Sequence, residues 1–286
     1  MKYRFFRYSG SKFNYIDLIN PIINKSNKKI YAEPFVGSGA ILFNLEKEFD
    51  EYIINDIDRN ITNIYKTFKN ITYDKYLEKH KYITDTYGIF KAPRKNIVLS
   101  EKAKANYYNF RNWFNENHWG KDTIDEGIYC FLLANMAINS MLRFGPRGNN
   151  TSFGNRFFLL DRITFEHIHK ILQKTTIYNG DYKVILEKYP DAVYFLDPPY
   201  FSQASSYTGF SEDQFIEFLE LIKDKEYIYT DILNDYNKKI ENRQLIRNMR
   251  STAPSANKKK LTGNLEYIFS SIKLENLEND IDEDEW

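Results

Sequence analysis

The sequence predicts an α/β protein: a mainly parallel sheet flanked by helices, broken once by a mainly helical insertion. Three observations carry that prediction. An apolar run at 192–196 stops at Asp197-Pro198-Pro199-Tyr200. A strand pattern at 29–35 runs into a glycine turn, and the next strand pattern ends in an acid, Asp56, 17 positions after Gly39. The alternation of strand and helix lapses after residue 65 and resumes at Asp161.

Each element follows from its own residues. Residues 1–28 form a helix-rich lead-in that contains Lys12. Lys29 to Phe35 is a strand pattern closed by Pro34, followed by Val36-Gly37-Ser38-Gly39-Ala40 and a helical pattern through Ile41, Leu42, Leu45 and Phe49. Glycines at a strand-to-helix turn let backbone approach a ligand closely, and a helix start favours a carboxylate or phosphate. Asp56, ending the strand pattern at 51–56, is placed to accept both hydroxyls of a ribose. It is also placed to cap the helical pattern that begins at 58–61. The insertion at 66–158 is clearest as helix at 101–117 and 123–142, and it ends in a Gly-, Asn- and Arg-rich segment. A helix from Asp161, a strand at 175–178, the strand at 192–196, a helix near 212–224 and a strand at 227–230 come next. Two late strands at 243–250 and 265–273 flank a basic loop holding Lys258, Lys259 and Lys260.

The turn at 197–200 suits one chemistry well. Two prolines cannot continue a sheet ladder, so a carboxylate, two stiff carbonyls and an aromatic ring stand at the carboxyl end of a strand, where open α/β sheets bind ligands. An exocyclic amine can donate to Asp197 and to the Pro198 carbonyl while its ring stacks on Tyr200. Those hydrogen bonds draw the nitrogen lone pair out of conjugation and aim it at an electrophilic methyl group.

These residues, in this order, resemble the DNA adenine-N6 methyltransferases, in the group whose glycine motif precedes the catalytic motif. Phe35-x-Gly37-x-Gly39 and Asp197-Pro198-Pro199-Tyr200 carry the resemblance. Arg7-Tyr8-Ser9-Gly10-Ser11-Lys12 resembles the family's amino-terminal aromatic-x-Gly-Gly-Lys motif, with Ser11 for the second glycine. Asn179-Gly180-Asp181-Tyr182 resembles the segment whose acid contacts the cofactor adenine. The stretch at 143–154 resembles the family's DNA-reading hairpin, with Gly145 where an asparagine is common. The similarity runs from about Tyr3 to about Leu274.

The resemblance implies a Rossmann-like methyltransferase sheet. Residues 1–65 and 159–274 would form the catalytic domain, 66–158 an inserted target-recognition lobe and 275–286 an acidic tail. It implies S-adenosylmethionine as cofactor, with Gly37 and Gly39 at its methionine end, Lys12 on its carboxylate, Asp56 on the ribose, Asp181 on the adenine amine, and Tyr8 and Phe35 nearby. Asp197, Pro198, Pro199 and Tyr200 would receive a flipped adenine, Asp197 orienting the amine without serving as a strong base. Arg143, Arg147 and Asn149 would read base edges in double-stranded DNA, and Lys258 and Lys259 would touch phosphates. A cognate restriction endonuclease is a partner that the resemblance leaves open, and GATC is not carried over as the target because of Gly145.

Bulk properties agree. A chain of 286 residues, 42% hydrophobic, can bury an α/β core plus a smaller domain. No charged start followed by an apolar h-region marks it for secretion, so the expected compartment is the cytoplasm. The net charge of +1 hides an asymmetry. Residues 66–160 hold 15 Lys/Arg against 8 Asp/Glu, and residues 275–286 hold 7 acids and no base. A basic body suits a polyanion partner. Tyr107, Tyr108, Phe110, Trp113 and Phe114 recur at helical spacing and read as core; Cys130 reads as a packed thiol, and His80, His118, His167 and His169 as structural. Rival readings remain: an amine of cytosine N4, RNA or a protein glutamine as acceptor; an inactive DNA-recognition subunit; and an oxidoreductase, against which the missing third glycine of the dinucleotide fingerprint counts.

Overall fold

The computed structural model of the chain describes residues 1–89, 101–138, 142–154, 159–200, 211–249 and 264–274. Lys258, Lys259, Lys260 and the acidic tail lie outside the described residues. In chain order the elements are α1 (Ile16–Ile23), β1 (Ile30–Glu33), β2 (Glu51–Asp56), α2 (Arg59–Asn70), α3 (Tyr73–Tyr87), α4 (Glu101–Asn117) and α5 (Ile124–Met136). There follow β3 (Phe144–Gly145), β4 (Gly148–Asn149), α6 (Arg162–Gln173), β5 (Thr175–Asn179), α7 (Tyr182–Lys188), β6 (Val193–Leu196), α8 (Glu212–Ile222), β7 (Glu226–Ile232), β8 (Arg243–Met249) and β9 (Asn264–Ser270). Seven strands form a mainly parallel sheet in the order β5-β2-β1-β6-β7-β9-β8, and β3 and β4 form a separate hairpin. The expected mixed α/β, Rossmann-like sheet is what the chain adopts.

The chain divides into two compact units. The first comprises 1–16, 36–45 and 51–181. Here β2 pairs in parallel with β5 from Tyr52↔Thr175 to Asp56↔Asn179, so both strands end together. Helix α2 is capped by Asp58, whose carboxylate accepts from Asn60 N–H. It buries Ile61, Ile64, Tyr65 and Phe68, the i, i+3, i+4, i+7 stripe of an amphipathic helix. Phe5 fills the centre of this core, its ring meeting Phe6, Phe43, Tyr65, Phe68 and Phe131. Tyr107, Phe110 and Phe114 are buried, as their spacing predicts. Cys130 is buried too, which pushes its thiol pKa well up. His167 and His169 engage the carbonyls of Phe43 and Phe68.

The second unit comprises 17–35, 46–50 and 182–286. β1 pairs with β6, and β6 with β7, in parallel; β9 runs antiparallel to both β7 and β8. All four residues of β6 are buried, which is why it reads as an unbroken apolar run. Because β1 and β6 are parallel neighbours, their carboxyl ends share one sheet edge. That edge carries Glu33-Pro34-Phe35 and Asp197-Pro198-Pro199-Tyr200.

Two expected elements differ. After the glycine turn there is only a short 3-10 turn, Leu42–Asn44, and Leu45 is already extended. The Asn44 amide explains the stop: it donates to Tyr3 C=O and Ala40 C=O, and its oxygen accepts from Tyr3 N–H, fastening the lead-in chain across the would-be helix. Helix α5 ends at Met136 rather than running to 142. Ala137 is extended and bridges to Phe153, and Met136 C=O accepts from Gly154 N–H.

Candidate active site

In the first unit the glycine turn is built by positive backbone angles and a carboxylate. Gly37 and Gly39 have φ of 48° and 64°, the left-handed region that favours glycine. A Cβ on Gly39 would stand 2.7 Å from the Tyr65 hydroxyl and 2.8 Å from the Phe43 ring, and one on Gly37 would stand 3.1 Å from the Tyr8 ring. The turn is therefore closed on its protein side, with Tyr8 laid against Gly37. Tyr65 O–H donates to Gly37 C=O at 3.0 Å. Asp56 accepts from Gly37 N–H at 3.1 Å and from Asp58 N–H at 3.0 Å. Burial pushes the Asp56 carboxyl up to about 6, and those two N–H groups pull the other way. Asp58, not Asp56, caps α2, which leaves Asp56 to serve the turn.

The amino-terminal motif joins the same site. Ser38 O–H donates to Ser11 Oγ at 3.1 Å. The next residue, Lys12, is only 5% exposed, so it is no ordinary surface lysine. Its ammonium donates to Gly10 C=O at 3.1 Å. The segment ending in Asp181 arrives through β5. Gly180 N–H donates to Asp56 C=O, Asn55 donates to Gly180 C=O at 2.9 Å, and Asn179 donates to Asp56 C=O at 2.8 Å. Asp181 is exposed directly before α7, and Ile57, beside Asp56, is 82% exposed.

In the second unit the edge of β6 holds the other group of residues. Asp197 is half-buried and accepts from Thr230 O–H of β7 at 2.8 Å. Pro198 is buried and Pro199 exposed. Tyr200 O–H donates to the Glu266 carboxylate on β9. Burial, then the charges of Asp197, Glu266 and Asp231, push the Tyr200 phenol far above its usual pKa, so it stays a donor. On β7, Tyr229 O–H donates to Asp231, which also accepts from Ile232 N–H at 2.7 Å. Phe35 is half-buried, its ring centroid 5.0 Å from that of Tyr182.

An acid at the end of one strand serves a glycine turn, and an Asp-Pro-Pro-Tyr turn ends another. Residues 8–275 match the family described as D12 class N6 adenine-specific DNA methyltransferase. The chain belongs to that family. The methyltransferase is 30% identical over 225 residues to the type II methyltransferase M.MjaIII of Methanocaldococcus jannaschii, covering 74% of each chain. It is 29% identical to the DNA adenine methylase of Haemophilus influenzae, over 75% of this chain and 71% of that one. Against the DNA adenine methylase of Escherichia coli K12 the identity is 26%, over 74% and 70%. The enzyme methylates adenine N6 in DNA, and a methyl donor is part of its chemistry.

The methyltransferase carries its Arg143 to Gly154 segment as a short hairpin. Phe144 faces Asn149 and Gly145 faces Gly148, with Pro146 and Arg147 at the tip. Arg143 and Arg147 are exposed. Asn149 is 2% exposed, and its side-chain oxygen accepts from Thr151 N–H at 3.1 Å, so it shapes the hairpin from inside. Asn115 of α4 holds the same residue by its backbone, donating to Asn149 C=O and accepting from Asn149 N–H, both at 2.8 Å. Sequence reasoning missed Asn55, Asn115, Thr230 and Glu266. Each acts across 33 or more residues of chain, and nothing local marks such a partner.

Among the described residues no helix is long and apolar enough to cross a membrane.

Proposed function

We propose that this enzyme takes the methyl group from S-adenosylmethionine and places it on an adenine turned out of double-stranded DNA at the Asp197-Tyr200 turn. The observation that carries the reading is the Asp197 carboxylate, pinned at 2.8 Å by Thr230 at a strand end beside the anchored ring of Tyr200. S-adenosylmethionine supplies a methyl already activated by its sulfonium charge. The residues present suit that cofactor: a buried cation at Lys12 for a carboxylate, a turn of bare backbone at Gly37 and Gly39, and an acceptor for ribose hydroxyls at Asp56. Asp181 would accept from an adenine amine, and exposed Ile57 with Tyr8 would offer it apolar faces. At the acceptor, Asp197 and the Pro198 carbonyl each accept one N6 hydrogen, and Tyr200 stacks on the base, offsetting part of the few kcal/mol that flipping costs. Asp197 would orient and polarise the amine; as the N–CH3 bond forms, the S–CH3 bond would break to leave a neutral thioether, and the surplus N6 proton would pass to solvent after transfer.

The hairpin supports a role in choosing the target. Arg147 at its tip and Arg143 at its base carry donors suited to guanine edges or phosphates. Asn149 serves them from within, and Lys258 and Lys259 would add phosphate contacts without sequence preference. The relative named a type II methyltransferase supports a setting in which the enzyme protects a site from a cognate restriction endonuclease.

Transfer of tritiated methyl from S-adenosylmethionine to duplex DNA and to RNA, followed by nucleoside separation, tests the reading. Label in N6-methyladenine from the duplex is expected; label in 4-methylcytosine, or from RNA alone, overturns it.

A further inference from the structure

We infer that Glu266 is a positioning residue for methyl transfer: from β9 it holds the phenol of Tyr200 and so fixes the ring face offered to the target base. The inference rests on the reading of Tyr200 as the stacking ring.

Tyr200 lies four residues beyond the end of β6, past two prolines that carry no N–H to tie it to the sheet. Its ring could swing about the side-chain torsions. An anchor at the far end of the ring removes that freedom without covering its face. Glu266 is such an anchor. It is 3% exposed, stands opposite Ile232 in the β7–β9 ladder, and its carboxylate accepts from the phenol. Burying a carboxylate is costly unless donors meet it, so a buried glutamate at the end of the β7–β9 ladder calls for a reason beyond packing. The neighbouring residues of β7 support the same edge. Thr230 holds Asp197, and Tyr229 with Asn237 holds Asp231, fixing the end of the strand against which Glu266 is registered. The phenol is thereby turned into the protein and not toward the base, which leaves stacking, not hydrogen bonding, as the contribution of Tyr200. Its raised pKa keeps it a donor across the working pH range.

The test uses the full chain and DNA carrying 2-aminopurine at the methylated position, mapped beforehand from wild-type products. Glu266→Leu should cut the flipping fluorescence and lower the single-turnover rate about tenfold or more, the scale of a lost hydrogen bond to a charged group. Affinity for S-adenosylmethionine should be unchanged. Glu266→Gln keeps a carbonyl acceptor and should restore most of the rate. In a Tyr200→Phe background Glu266→Leu should cost nothing further, because the bond is already gone. Wild-type fluorescence and rate in Glu266→Leu would overturn the inference, as would an equal loss in the Tyr200→Phe background. If Glu266→Leu does not fold, the comparison of Tyr200→Phe, expected to be impaired, with Glu266→Gln decides the matter; equal rates in the two overturn it. Tyr200→Ala separates the two layers. If Tyr200→Ala flips and methylates normally, the stacking role itself is wrong; if it is impaired while Glu266→Leu is not, only the role of Glu266 fails.

Discussion

The turn proposed to hold the cofactor and the edge proposed to receive the base both follow strand ends, yet they are held by different kinds of bond. The turn around Gly37 is held through its backbone: Gly37 N–H donating to Asp56, Gly37 C=O accepting from Tyr65, Val36 N–H donating to Asn55 C=O, and glycine angles that side chains resist. The acceptor edge is held by side chains: Thr230 on Asp197, Glu266 on Tyr200, and Tyr229 on Asp231. A backbone site yields a fixed cradle for a cofactor that is always the same. A side-chain site yields oriented groups suited, on the proposed reading, to a base that would arrive, stack and leave. The two regions should therefore fail differently when mutated.

The largest effect belongs to the acceptor edge. Asp197→Ala removes the group proposed to polarise the amine and should lower the transfer rate by about a hundred- to a thousandfold, the range for losing one preorganised electrostatic contact. Labelled-methyl transfer at saturating cofactor measures it. Gly39→Val should strike the other region. A side chain there meets Tyr65 and Phe43 at 2.8 Å or less and is forced to φ near 64°, a strain of about 1–3 kcal/mol. Both the unfolding temperature and cofactor affinity should fall. The cause is a displaced protein turn.

The separation of backbone and side-chain support also explains what the sequence reveals. Strand ends were legible at Glu33-Pro34, Asp56 and Asp197-Pro198 because proline, glycine and acids punctuate chains locally. The glycine turn was legible because its φ angles demand glycine at Gly37 and Gly39. The helix expected after it was not there, since Asn44 answers to Tyr3, 41 residues away. Thr230 and Glu266 were invisible for the same reason: a hydroxyl in one strand and a carboxylate in another become partners only once the sheet is folded. Asn149 shows a subtler limit. Its place in the hairpin motif was legible, but whether its amide points out to DNA or inward to Thr151 depends on the fold.

Smaller effects sharpen the contrast. Thr230→Val keeps shape but loses one hydrogen bond to a carboxylate, and should slow single-turnover transfer about tenfold while leaving cofactor affinity alone. Asp56 gives the proposed cofactor region a pH signature. Burial pushes its carboxyl up from 3.8 to about 6, and in the proposed site only the ionised form would accept from both ribose hydroxyls. Cofactor affinity should drop as pH falls through about 6 and be level well above it, as titration calorimetry across that range would record. The same shift has the opposite sign for the ligand-free fold. The native state holds the proton more tightly than the unfolded chain, so stability declines as pH rises from 3.8 to about 6. Arg147→Ala should change neither cofactor affinity nor the chemical step greatly. It should relax the methylated motif at one position, by about 1–3 kcal/mol of discrimination if the contact is bidentate, and methylome sequencing of the wild type and the variant would reveal it.

The most direct measurement is titration calorimetry of S-adenosylmethionine into Asp197→Ala and Gly39→Val side by side. The expected result is wild-type affinity in Asp197→Ala, which lacks only an acceptor-edge group, and a large loss in Gly39→Val. Equal cofactor loss in both variants would contradict the division of labour between the two strand ends and place Asp197 with the cofactor instead of the target base.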